Sequence, residues 1–111
     1  MKSAYVPMNG ETGGHVGPNG KLQTSRIRNK IKRDFPDAQE IVFSAGHYYC
    51  SCFLKLRERW FYFSTSDYRF FPQQFLVRTA TGPKDYTGGT NNNWDGFDNI
   101  TEAIRKISWG K

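Results

Sequence analysis

Between Cys50 and Phe63 the side chains alternate with a period of two, and that alternation confines the segment to a β-hairpin. If Glu58 and Arg59 are the central residues of a tight turn, antiparallel pairing sets Arg57 opposite Trp60, Leu56 opposite Phe61, Lys55 opposite Tyr62 and Leu54 opposite Phe63. Directly opposed residues share a face. One face then carries Cys50, Cys52, Leu54, Leu56, Phe61 and Phe63; the other carries Tyr49, Phe53, Lys55, Arg57, Trp60 and Tyr62. The first set is purely apolar and belongs to a core. The second mixes rings with cations. Glu-Arg lacks the Asn-Gly chemistry that two-residue hairpins favour, and a slip of one residue would exchange the faces.

The flanking patterns supply the core's other wall. TSRIRNKIKRDF brings Ile27, Ile31 and Phe35 onto one helical stripe, with Thr24 or Ser25 as N-cap and Pro36 as a stop, and predicts a helix over about 25–34. In DNITEAIRKISWG, Ile100, Ala103, Ile104 and Ile107 share a stripe; Asn99 with Glu102 fits a capping box, and Gly110 fits a C-cap. QEIVFSA and FPQQFLVRTA read as strands. Residues 1–22 form a Gly-rich N-terminal arm, and TGPKDYTGGTNNNWDG (81–96) reads as one long loop. The expected fold is therefore α+β: an antiparallel sheet of about four strands with two helices packed on one face, built by residues 23–111 as a single domain.

Composition narrows the function classes. Sixteen Lys and Arg against ten Asp and Glu give a formal charge of +6, which favours anionic partners and disfavours a DNA mimic. No apolar leader and no long apolar run is present, so a cytoplasmic, unanchored chain without a membrane partner is expected. Cys50 and Cys52, two apart on a strand, sit roughly 6.6 Å apart by strand rise, too far for an intrachain disulfide. His47 with these cysteines supplies only one segment of zinc-like spacing, so neither metal nor cofactor is expected. Two histidines and turn-type acids (Asp85, Asp95, Asp98) form no recognisable catalytic set, and the reading leans away from an enzyme.

The mixed face is the candidate site. Exposed rings beside cations are what single-stranded nucleic acid and nucleotides use, which nominates Trp60, Tyr62, Tyr49, Lys55 and Arg57. The long loop adds Lys84, Tyr86 and a Gly88-Gly89 anion nest, with Arg78 just before it. Lys21, Arg26, Arg28, Lys30, Lys32 and Arg33 are candidates for phosphate contact on the first helix. The same ringed face has alternative uses: packing within the chain, including cover by the N-terminal arm, docking of a partner protein, or a second copy in a homodimer.

RIRNKIKRDFPDAQEIVFS, a strand hairpin and a terminal FDNITEAIRKI helix together resemble small helix-plus-sheet accessory modules of phages and conjugative elements, including domains attached to large polyvalent proteins. The resemblance spans about the middle two-thirds of the chain and carries over no functional residue; the aromatic hairpin and the 81–96 segment depart from it. It implies a mobile-element origin and a counter-defence role, in which the protein would bind a host defence protein, its nucleic acid or its nucleotide signal.

Overall fold

A computed structural model describes residues 17–109, with side chains from Leu22 onward. The chain is α+β, with one antiparallel sheet and two helices. Helix α1 (Gly17–Asp34) leads into β1 (Glu40–Ala45), β2 (Cys50–Leu56), β3 (Arg59–Thr65), β4 (Gln74–Ala80) and β5 (Asn92–Asp95); a 3₁₀ turn (Phe97–Asn99) then opens α2 (Ile100–Trp109). The strands lie in sequence order as a five-stranded meander.

The hairpin sorts its faces as the alternation predicts, although its turn sits one residue earlier. Leu56 pairs with Arg59, Lys55 with Trp60, Leu54 with Phe61 and Cys52 with Phe63. The central residues are thus Arg57 and Glu58, not Glu58 and Arg59, and the pairing is displaced by two positions. A two-residue displacement preserves the faces, because the side-chain period is two. Arg57 and Glu58 both hold positive φ, 50° and 67°, as a type I′ turn requires. Neighbouring bonds hold these unfavourable conformations. The Glu58 amide donates to Gln39 Oε1 at 2.6 Å, Gln39 Nε2 donates to the Glu58 carboxylate, and Arg57 Nη2 donates to the Ser108 carbonyl at 2.7 Å.

Both helices lie on the inner face. Ile27 and Ile31 from α1, Phe35 just after it, and Ile100, Ala103 and Ile104 from α2 join Cys52, Leu54, Phe61, Phe63, Phe75 and Val77 in one buried core. Cys50 and Cys52 are core residues with free thiols, and burial pushes these up to about 11 and about 12. Both therefore stay protonated at neutral pH.

Three boundaries differ from the sequence expectation. Helix α1 begins at Gly17, inside the predicted arm, so Thr24 is an interior residue and not a cap; its hydroxyl meets the buried Tyr68 hydroxyl at 2.9 Å. Pro18 is compatible with that early start, because a helix's first turn has no use for the missing N–H. Residues 1–16 and the predicted Gly110 cap lie outside the described residues. The second difference is a fifth strand within 81–96. Asn92–Asp95 has little strand propensity, but Trp94 opposite Phe75 stacks on its ring at 6.4 Å and closes the core's edge. Third, Asn99 builds no capping box: its Nδ2 donates to the Asp95 carbonyl at 3.0 Å, and the 3₁₀ turn starts the helix instead.

One junction ties the helices together. Thr101 Oγ1 donates to Asp34 at 2.6 Å, while Arg105 donates to the Asp34 carbonyl at 2.9 Å, pairs with Asp37 at 2.9 Å and lies over the Phe35 ring at 4.5 Å. The Thr101 hydroxyl, and after it Arg33, hold the Asp34 carboxyl down at about 2, below its ordinary 3.8. A depressed carboxyl stabilises the fold above its unfolded value, and that contribution fades as pH falls through the folded one. Thr101→Val is expected to cost about 1 kcal/mol at neutral pH. Urea titrations at stepped pH should show the native chain losing stability between about pH 4 and pH 2, and the variant losing less of it there.

Candidate functional site on the outer sheet face

Alternation turns Phe53 and Lys55 of β2, Trp60, Tyr62 and Ser64 of β3, and Leu76 and Arg78 of β4 away from the helices. Among the described residues, no helix or strand covers this face. Part of it is covered by the 81–91 segment, which lies against the sheet instead of standing away from it. Tyr86 packs edge-on against Phe53 at 5.2 Å and Tyr62 at 6.0 Å, and Phe53 packs on Tyr62 at 4.7 Å. Phe53 is left only 3% exposed although it faces away from the core, whereas Tyr86 itself stays 61% exposed.

Two residues hold the segment in place. Arg78 is 4% exposed; its guanidinium lies 4.4 Å above the Tyr62 ring and donates to the Asp85 carbonyl at 2.6 Å and the Thr79 carbonyl at 3.1 Å. Asp85 accepts bonds from the amides of Thr81 (2.9 Å), Thr87 (3.1 Å) and Gly88 (2.8 Å) and from the Thr81 hydroxyl (3.2 Å). The Thr81 and Thr87 amides are the largest influences that hold its carboxyl down at about 2. Of the Gly88-Gly89 pair expected to form an anion nest, only the Gly88 amide turns to a carboxylate, and that carboxylate is the chain's own Asp85, shared with the Thr81 and Thr87 amides. Gly89 serves the backbone: its φ is +76°, and a Cβ there would collide with the Thr79 carbonyl oxygen.

The structure brings some predicted residues together and separates others. Lys55, Trp60, Tyr62, Tyr86 and Lys84 belong to the outer face and its covering segment. Trp60 is half-buried on the side away from the isoleucines, with Lys55 Nζ 6.0 Å from its ring centre and 3.5 Å from Glu58. Lys84 is exposed and has no partner among the described residues. Arg78 acts as an internal clasp, so its guanidinium is not presented to solvent. Arg57 leaves the face altogether, because it sits in the turn and binds the end of α2. Tyr49 lies against Gly46 at the far end of β2, about 20 Å of strand from the Lys55–Trp60 pair.

The α1 cations do not join this site, because α1 packs on the opposite face. Lys30 and Arg33 pair with Asp34 at 3.3 and 3.1 Å, and Arg28 lies 5.5 Å from the Phe43 ring centre. Arg26 and Lys32 are exposed, and the side chain of Lys21 lies outside the described ones.

Sequence reasoning did not pick out the groove that continues the face. Ser64, Ser66, Gln74, Leu76, Asn93 and Asp95 line a trough of about 340 Å³ across β3, β4 and β5. Trp60, Tyr62 and Ser64 are successive outward residues of β3, so the trough begins one step beyond the rings. The unrecognised β5 hid it: without that strand, Asn93 and Asp95 have no place on the sheet.

Among the described residues no group of three or more His, Cys, Asp or Glu side chains could hold a metal, and no helix is long and apolar enough to cross a membrane. In comparisons with protein families, curated proteins and solved structures, none matches this chain.

Gly89→Ala is expected to destabilise the fold by roughly 1–3 kcal/mol. It should also speed hydrogen exchange at the Thr87 and Gly88 amides more than at core amides such as Leu54. Uniform acceleration would mean that the segment has no stability of its own. In the native protein, alkylation of Cys50 and Cys52 by iodoacetamide is expected to be slow and to become fast only on denaturation.

Proposed function

We propose that this protein is a non-catalytic binding protein whose outer sheet face receives single-stranded nucleic acid. One observation carries the reading: the helices cover one face of the sheet, and the other holds Trp60 beside Lys55, with Tyr62 under Tyr86 of the covering segment that also carries the exposed Lys84. Bases would stack on Trp60 and on the open side of Tyr86; Lys55 and Lys84 would neutralise phosphate. The trough at Ser64 and Asn93, which Asp95 also lines, would take sugar and base edges and not phosphate, through hydroxyl, amide and carboxylate bonds. Arg78 contributes from below by holding Tyr62 and the covering segment in register. Phosphate contacts are few in this arrangement, so stacking supplies most of the affinity. In the setting that the mobile-element resemblance implies, such a protein would act by sequestering a nucleic acid.

A second reading has its own observation. At the other end of the sheet Phe70 is 68% exposed and Phe71 48%, and the Arg69 guanidinium lies 3.9 Å over Tyr48 and 5.1 Å over Phe70. Apolar rings in solvent around a fixed cation suit a protein partner or a second copy of the chain.

Fluorescence anisotropy with a labelled oligo-dT or oligo-U separates the readings. Trp60→Ala is expected to weaken binding about 5- to 100-fold, the worth of one stacked base. Lys55→Ala should weaken it less and reduce the salt dependence by about one phosphate. Absence of binding at low salt would sink the nucleic-acid reading. A concentration-dependent dimer in sedimentation, abolished by Phe70→Ser, would favour the other.

A further inference from the structure

A second cavity lies on the helical side of the molecule, away from the outer face. It encloses about 310 Å³ between α1 and the start of the 3₁₀ turn, and its walls are Gln23, Arg26, Ile27, Lys30, Gln73, Phe97 and Asp98. That volume lies at the lower end of small-molecule sites, which run from about 300 Å³ upward. Its floor is apolar and fixed, since Ile27 and Phe97 are core residues.

The polar rim is arranged in two halves. Arg26 and Lys30 stand one turn apart on α1, and Arg26 has no partner among the described residues. Gln73 spends its Oε1 on the Phe97 amide at 2.8 Å, which fixes the orientation of the side chain and leaves its Nε2 as a donor. Asp98 stands on the other element. It too lacks a partner among the described residues, and it does not pair with Arg26 although both line the same cavity. Two opposite charges held apart across an apolar floor suit a ligand with an anionic group at one end and hydrogen-bond donors at the other.

We propose that this cavity is a binding site for a nucleoside monophosphate. The free Arg26 guanidinium and the Gln73 amide, with Lys30 shared with Asp34 at 3.3 Å, offer more donors than one carboxylate can use and match the terminal oxygens of a phosphate. Asp98 accepts from ribose hydroxyls or a base N–H, and the base rests its edge on the small exposed part of Phe97, with Ile27 sealed beneath. The Asp98 carboxylate also discriminates: it repels a bare anion and favours a ligand that brings donors to it. The site shares no side chain with the outer face and does not depend on nucleic acid binding there.

The test is a titration of the ¹⁵N-labelled full chain with AMP, followed by heteronuclear NMR, with inorganic phosphate and glutamate as comparison ligands. Saturable shifts are expected at the Gln73 side-chain amide and at the Ile27, Phe97 and Asp98 backbone amides. Arg26→Ala, an exposed change that leaves the remaining spectrum superposable, should weaken AMP about tenfold, the effect of losing a charge-assisted contact. Asp98→Asn should weaken AMP and leave inorganic phosphate unweakened, while Trp60→Ala should change neither. Shifts confined to the surroundings of Trp60, no shifts at all, glutamate binding as tightly as AMP, or an Arg26→Ala variant with native affinity would each overturn the assignment.

Discussion

Pairing of Leu54 with Phe61 and of Cys52 with Phe63 over the helices fixes the direction of every other side chain on β2 and β3. Once those four are inward, Phe53, Lys55, Trp60 and Tyr62 have no choice but to face outward. β4 inherits the constraint through Phe63–Val77 and Tyr62–Arg78, and β5 through Phe75–Trp94. The outer face is in this sense a by-product of the core: its rings stand where they do because the isoleucines of α1 and α2 cover the alternate positions.

Arg78 shows how the fold handles the polar consequence. An outward cation at the centre of a sheet would normally stay hydrated, yet here it is withdrawn from water between the Tyr62 ring and the Asp85 carbonyl. Its charge is met by two backbone carbonyls and the negative face of the Tyr62 ring instead of a carboxylate. Among the described residues, no acid pairs with it. Asp85 is close in sequence but turns its carboxylate to the Thr81, Thr87 and Gly88 amides and offers Arg78 only its carbonyl. The 81–91 segment is thus fastened at one residue by both its side chain and its main chain.

Much of the fold could be read from the chain because two periodicities were strong. Period two from Cys50 to Phe63 and the Ile100–Ala103–Ile104–Ile107 stripe identified the core walls, and an error of one residue in the turn left the faces intact. What stayed hidden depended on contacts with no local signature. Arg57-Glu58 gives no hint of a left-handed pair, since Gln39 and Ser108, distant in sequence, support it. NNWD looks like loop until Phe75 is available for Trp94. For the site, alternation named Trp60, Tyr62 and Lys55, but it could not show that Arg78 and the Gly88 amide are satisfied internally. Nor could composition show that the α1 cations and the rings stand on opposite sides of the sheet.

The sequential strand order has a kinetic meaning. Each strand of the meander pairs with its immediate successor, so the sheet can zip by short loop closures that cost little chain entropy. The Thr101–Asp34 clasp joins residues 67 positions apart, and it gains its value only when both helices already rest on a formed sheet. The entropic order of assembly therefore runs from the central hairpin outward, with the meeting of the two helices as the closing event.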